Sequence, residues 1–195
     1  MSGEWRADVL RFWFGLEPEQ WWNGGPELDE RIRRQFLKLW EEKRQLPVDL
    51  FLDDPLTAVA GVILFDQFPR NMFRGAADAY STDQLALGIA KQAVARGLDK
   101  RLAPDERKFL YMPFQHSEKL DDQNRAVLLF TELGDDHQLG YARHHRDIIE
   151  KFGRFPHRNA ILGRASQKQV VNVAQRGGMC VVFVGRHAGR LHGPA

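Results

Sequence analysis

The chain has 195 residues, 43% hydrophobic, with 13 Phe and 5 Trp; this excludes a disordered segment and suits one domain with a substantial core. No apolar run nears the ~20 residues that span a bilayer, Met1-Ser-Gly-Glu-Trp-Arg6 lacks the features of a secretion signal, and Cys180, the single cysteine, rules out an internal disulfide and favours the cytoplasm. The net charge of +2 hides an asymmetry: residues 1–150 carry −6, whereas the last 45, without a single Asp or Glu, carry +8.

In chain order, the apolar pattern is helical nearly throughout. Ile32, Phe36, Leu39 and Trp40 share one face of a helix predicted from about Leu28 to Gln45. Trp13 and Trp40 suit the core, and the Trp21-Trp22 pair, in a Gly/Pro-rich loop, suits the rim of a groove. Asp54-Pro55 reads as an N-cap followed by Pro at the first helical position. The next helix, Leu56 to Phe68, is apolar almost all round and therefore central, and Pro69 is expected to end it. Ser81-Thr-Asp-Gln84 fits a capping box opening a helix that stops at Gly97. Pro104 opens another, which Pro113 should kink or break. Asp121 or Asp122 should cap a helix stopped by Gly134, and the following helix, burying Tyr141, Ile148, Ile149 and Phe152, should stop at Gly153.

Helices joined by short turns must lie antiparallel, so the pattern predicts an all-α fold of stacked helical hairpins, with a compact irregular bundle as the alternative. Residues 1–176 are expected to form this single domain. The tail, 177–195, is basic and irregular, with one strand-like run, Met179–Val184. Its charge suits an acidic partner, an intramolecular contact or no role; no recognisable binding motif supports nucleic acid.

Two segments 87 residues apart are nearly the same: Phe65-Asp-Gln-Phe-Pro-Arg-Asn71 and Phe152-Gly-Arg-Phe-Pro-His-Arg-Asn159. They predict two equivalent helix exits, each presenting guanidinium and amide groups beside an aromatic wall. Arg70, Asn71 and Arg74 follow the first Phe-Pro; Arg154, His157, Arg158 and Asn159 surround the second. An Arg fork suits bidentate capture of a carboxylate or phosphate. The plainer reading is that these side chains satisfy the last carbonyls of their helices.

Asp66 sits in a nearly all-apolar helix and needs a cationic partner, which Arg70, Arg74 or Arg158 could supply. His116, Ser117 and Glu118 follow the expected Pro113 interruption, where polar groups can be exposed. His145 shares a face with Tyr141, Ile148 and Phe152 and suits either a hydrogen-bonded core position or the site. Metal-ligand spacings such as His-Glu-x-x-His are missing, so no metal or other cofactor is implied. Ser117 beside His116 does not make a triad, and there is no glycine-rich phosphate loop.

Four motifs in order carry a resemblance: Phe12-Trp-Phe-Gly15, Leu64-Phe-Asp-Gln-Phe-Pro-Arg-Asn-Met-Phe-Arg-Gly75, Tyr111-Met-Pro-Phe-Gln-His-Ser-Glu118 and Phe152 to Arg164. Together, over about residues 5–166, the chain resembles domain-of-unknown-function family 924, found in bacteria and fungi. The resemblance implies a helical fold like that of tetratricopeptide-repeat superhelices and no established activity. The likeness ends near Arg164, after which the family continues with an acidic segment. Here Ala165-Ser-Gln-Lys-Gln leads into the acid-free tail, as in a divergent terminus or a change of reading frame.

Three functions suit these residues. The first is a binding module holding an anionic group, from a peptide carboxylate or a small phosphorylated or carboxylated molecule, in an Arg/Asn/His-lined groove. The second is an enzyme using Asp66, His116 or Glu118 for acid–base work there. The third is a structural or protein-interaction scaffold in which the polar residues act as internal glue.

Overall fold

The computed structural model describes residues 4–165; the expected strand at 179–184 and the basic tail lie outside them. The described residues form an all-α fold. Helix α1 (Glu4–Phe14) buries Trp5, Val9 and Trp13, four residues apart, and α2 (Gln20–Asn23) is a single turn. Helix α3 (Gly25–Lys43) buries Leu28, Ile32, Phe36 and Trp40, again at steps of four. Such spacing keeps one stripe on the core and leaves the charged residues outside.

Helix α4 (Pro55–Val62) opens as its sequence predicts: Asp54 Oδ1 accepts from the N–H groups of Leu56 (2.9 Å) and Thr57 (3.1 Å). Every residue from Thr57 to Val62 is buried. Gly61 is needed for closeness, since a Cβ there would meet Phe51 at 3.1 Å and Ile89 at 3.2 Å.

Pro69 does not end this helix. The chain widens into a π-helical segment, Ile63–Gln67, and continues as α5 (Phe68–Met72). Lacking an N–H, Pro69 leaves the Phe65 carbonyl without its helical donor, and the Thr82 hydroxyl takes the place at 2.7 Å. The next carbonyls are also served by side chains: Arg70 donates to that of Asp66 and Asn71 to that of Gln67. The expected capping box of Ser81 and Gln84 does not form: the Ser81 hydroxyl donates to the Asp78 carbonyl at 2.8 Å, and Thr82 is engaged with the Phe65 carbonyl. It precedes α6 (Asp83–Ala95) without capping it, and accepts from Trp40 Nε1 at 3.2 Å.

Helix α7 (Pro104–His116) runs through Pro113 without breaking. The helix lasts only three residues beyond the proline, and everything from Phe109 to Gln115 is held in the core. The interruption therefore falls at Ser117, whose backbone is extended. Helix α8 (Leu120–Leu133) follows, with Asp121 and Asp122 in its first turn rather than at its cap. Helix α9 (Asp136–Phe152) buries Gln138, Leu139, Ala142, His145 and Ile149, so Tyr141, Ile148 and Phe152 lie beside the buried stripe rather than on it. Gly153, at φ 66°, stops α9 and turns the chain toward Phe155.

Helices α7 and α8, and α8 and α9, pack as antiparallel hairpins across short turns, and α4 lies against α6 and α7. This is the tetratricopeptide-like stacking expected. Among the described residues no helix is long and apolar enough to cross a membrane. The consequence for function is placement: the π segment, the end of α7 and the turn after α9 meet at one end of α6.

Candidate functional site

The two Phe-Pro segments converge, although only the second is a helix exit. Arg70 reaches Asp83 through both terminal nitrogens (2.9 and 3.2 Å), and Arg158 reaches the same carboxylate at 3.4 Å. Both guanidiniums lie over the Tyr80 ring, at 5.7 and 4.6 Å. Asp83 stands in the first turn of α6, where the helix dipole favours a carboxylate. Neither Asp83 nor Tyr80 stands out in the sequence, because Arg70 lies beyond a turn, 13 residues before Asp83, and Arg158 lies 75 residues after it. The Ser81–Gln84 run signals only a helix start.

Behind this junction is Asp66, with no exposed surface. Its carboxylate accepts from His116 Nδ1 (2.8 and 3.0 Å) and Gln67 Nε2 (2.5 Å), and pairs with Arg70 at 3.1 Å. Burial pushes the acid's pKa up, but the Arg70 and His116 contacts overcome it and hold Asp66 at about 2. The same ion pairs raise Arg70, against its burial. For His116, burial and the nearby Arg70 charge outweigh Asp66, so the ring is held below its ordinary value and is neutral near pH 7.

In front is a cavity of about 210 Å³. Trp21 and Trp22 of α2 form one rim, as their setting suggests. Gln67 comes from the π segment, Arg70 and Asn71 from α5, Arg74 from the turn after α5, and Met112, Gln115 and His116 from the end of α7. One face of α9 contributes His137, Tyr141 and His145; the turn after it contributes Phe155, His157 and Arg158. Burial lowers His145 to about 3 and His157 to about 4, with the charge of Arg158 acting in the same direction. These imidazoles are neutral at pH 7, leaving arginine to supply the charge.

The wall thus carries three guanidiniums and, among the described residues, no Asp or Glu. Their counter-charges sit behind it: Asp66 and Asp83 for Arg70, Asp83 for Arg158, and Asp29 for Arg74, whose Nε and Nη2 lie 2.6 and 2.7 Å from that carboxylate. Gln115 Nε2 and Arg158 Nε, on buried residues of the wall, have no hydrogen-bond partner among the described residues. A second cavity of about 250 Å³, lined partly by Asp83, Ser117 and Glu118, shares Tyr80, His116 and Arg158 with the first.

Of the residues singled out in the sequence, Arg70, Asn71, Arg74, His116, His145, His157 and Arg158 line the first cavity, and Asp66 supports it from behind. Three do not reach its wall. Glu118 clamps the turn after α9, accepting from Arg164 (2.6 and 2.9 Å) and from the Phe155 N–H (2.7 Å). Arg154 is exposed, and Asn159 is buried away from the cavity. Among the described residues no cluster of His, Cys, Asp or Glu is placed to hold a metal ion.

Residues 9–178 match the family model described as bacterial protein of unknown function (DUF924), and the chain belongs to that family. The match runs past residue 166 into the acid-free segment, further than the four motifs extend. The chain is also similar to a solved structure, the protein of unknown function ATU0120 from Agrobacterium tumefaciens. The identity is 37% and the TM-score 0.85, over 91% of this chain and 100% of that one. No curated protein matches the chain.

Proposed function

We propose that this family member is a binding protein that holds the anionic group of a small carboxylated or phosphorylated molecule, or of a peptide end, in the cavity beneath Trp21 and Trp22. The observation that carries this reading is the wall itself: three arginines face the cavity while every carboxylate paired with them lies behind. Arginine donors suit carboxylate and phosphate oxygens, and the aromatic faces give the rest of the ligand an apolar surface. The lone cysteine suits a cytoplasmic setting for this binding.

The test is a thermal-shift screen with inorganic phosphate, aromatic and aliphatic carboxylates, sugar phosphates and short peptides. A ligand at one hundred times its Kd stabilises by about 2.7 kcal/mol. The stabilisation should vanish in Arg70→Ala and Arg158→Ala proteins whose helical circular dichroism is retained. A folded Arg70→Ala protein that binds the same ligand unchanged would sink the assignment.

A second reading, acid–base catalysis in the same cavity, is favoured by one feature. A buried carboxylate orienting Nδ1 of a cavity-lining imidazole leaves the other ring nitrogen as a base. Turnover of a bound ligand that is lost in Asp66→Asn while binding persists would select it. A purely structural role suits Glu118 and Arg164 but gives no reason for the arginine-lined cavity.

A further inference from the structure

We infer that the molecule held here is a 2-hydroxy carboxylate with a flat, aromatic body, its hydroxyl donating to His116 Nε2 while its carboxylate faces the arginines. This rests on the anion-binding reading and names the ligand class for it. Both oxygens of Asp66 accept from His116 Nδ1, at 2.8 and 3.0 Å. An ionised carboxylate has no proton to give, so the ring proton is on Nδ1. The ring is neutral because burial and Arg70 disfavour its charged form. Its other nitrogen, Nε2, is therefore an acceptor carrying a lone pair.

Nothing among the described residues donates to that lone pair. Nε2 makes no hydrogen bond there, it is not among the fully buried unpartnered atoms, and His116 lines the cavity. The cavity therefore offers cations and a lone acceptor side by side. An anion alone satisfies the cations and leaves the acceptor unmet; a ligand that adds a donor satisfies both.

The spacing sets where that donor must be. Arg70 Nη1 and His116 Nδ1 contact the same Asp66 oxygen, at 3.1 and 2.8 Å, and so are no more than about 6 Å apart. Arg158 closes the group by donating to the His116 carbonyl at 3.1 Å. Nε2 stands across the ring from Nδ1, so an anion at the guanidiniums and a donor at Nε2 lie within the reach of a carboxylate that carries a hydroxyl on the adjoining carbon. Tyr80 under both guanidiniums, with Trp22, Tyr141 and Phe155 on the wall, suits a ring on the adjoining carbon.

Calorimetric titration at pH 7.5 with phenylacetate, mandelate and 2-methoxy-2-phenylacetate tests this. The three share ring and carboxylate and differ only in having no donor, a donor, and an ether oxygen in its place. Mandelate should bind about tenfold more tightly than the other two, the worth of one hydrogen bond. In Asp66→Asn the amide can donate to Nδ1 and drive the ring proton to Nε2, so the preference for mandelate over its methyl ether should disappear. Should that variant not fold, nitrogen-15 spectra of the wild-type histidines serve instead. The His116 Nε2 signal should be unprotonated in the free protein and should move with mandelate but not with phenylacetate. Equal affinity for the three acids overturns the inference and leaves the anion-binding reading standing. So does binding of other anions in the screen but none of these. No stabilisation by any anion overturns both.

Discussion

Replacing Asp66 by Asn keeps the side chain's shape and removes the charge that Arg70 and His116 share. In the folded protein those contacts, acting against burial, hold the acid at about 2, below the ordinary 3.8. At about 1.4 kcal/mol per pH unit, that difference amounts to about 2 kcal/mol of stability. The sign follows from the depressed value. The stabilisation is complete above the unfolded-state pKa and is lost as pH falls through the folded one, mainly between pH 4 and pH 2. Urea unfolding at several pH values should find Asp66→Asn less stable than wild type by about 2 kcal/mol at pH 5. The two should converge as pH approaches 2, because the wild type is then losing what the variant never had. Histidines other than His116, which Asp66 contacts directly, cancel in the comparison. Curves that stay parallel from pH 5 to pH 2, or a variant as stable as wild type at pH 5, would refute the account of Asp66 as a buried, charge-paired carboxylate.

Other substitutions test separate parts of the structure. Thr82→Val should cost about 1–3 kcal/mol in urea unfolding, since it strips the Phe65 carbonyl of its donor and Trp40 Nε1 of its acceptor, and Thr82→Ser should restore most of it. His145 is held neutral down to about pH 3 by burial and neighbouring cations. The unfolded chain takes up that proton near pH 6.5, so stability should fall below that pH by up to about 1.4 kcal/mol per unit. His145→Gln should flatten the slope of Tm against pH between 6 and 4; an unchanged slope would count against the buried neutral ring. Glu118→Gln breaks a partly exposed pair with Arg164 and should cost less than about 1 kcal/mol. It should leave mandelate affinity unchanged, because Glu118 is off the wall of the first cavity; a tenfold loss would place it in the site.

The elements are legible wherever local physics decides the outcome. The four-residue steps of Leu28, Ile32, Phe36 and Trp40, the Asp54 cap and the stops at Gly97, Gly134 and Gly153 depend on nearest turns of backbone, and each is found. Family membership is readable for a related reason, since four motifs preserve their order and local character. The two prolines mislead because their cost depends on what lies across the chain. Pro69 is tolerated where Thr82 serves the carbonyl it strands, and Pro113 where α7 is packed into the core and nearly finished.

For the site, the chain by itself determined which chemical groups were on hand: the arginines and amides after each Phe-Pro, a carboxylate needing a cation, and an unassigned histidine. Only the tertiary structure decided which of them meet. Packing α7 and α9 beside α6 turns two distant segments onto one carboxylate, Asp83, whose role no local pattern marks. It also sends Glu118, Arg154 and Asn159 elsewhere and sets Asp66 against Nδ1 rather than Nε2 of His116. Capping and periodicity act over a few residues and leave a trace in sequence. Arg70 apart, which lies 4 residues from Asp66 and 13 from Asp83, the site's charge pairs and the side-chain hydrogen bonds to His116 join residues 42 to 75 positions apart and leave none.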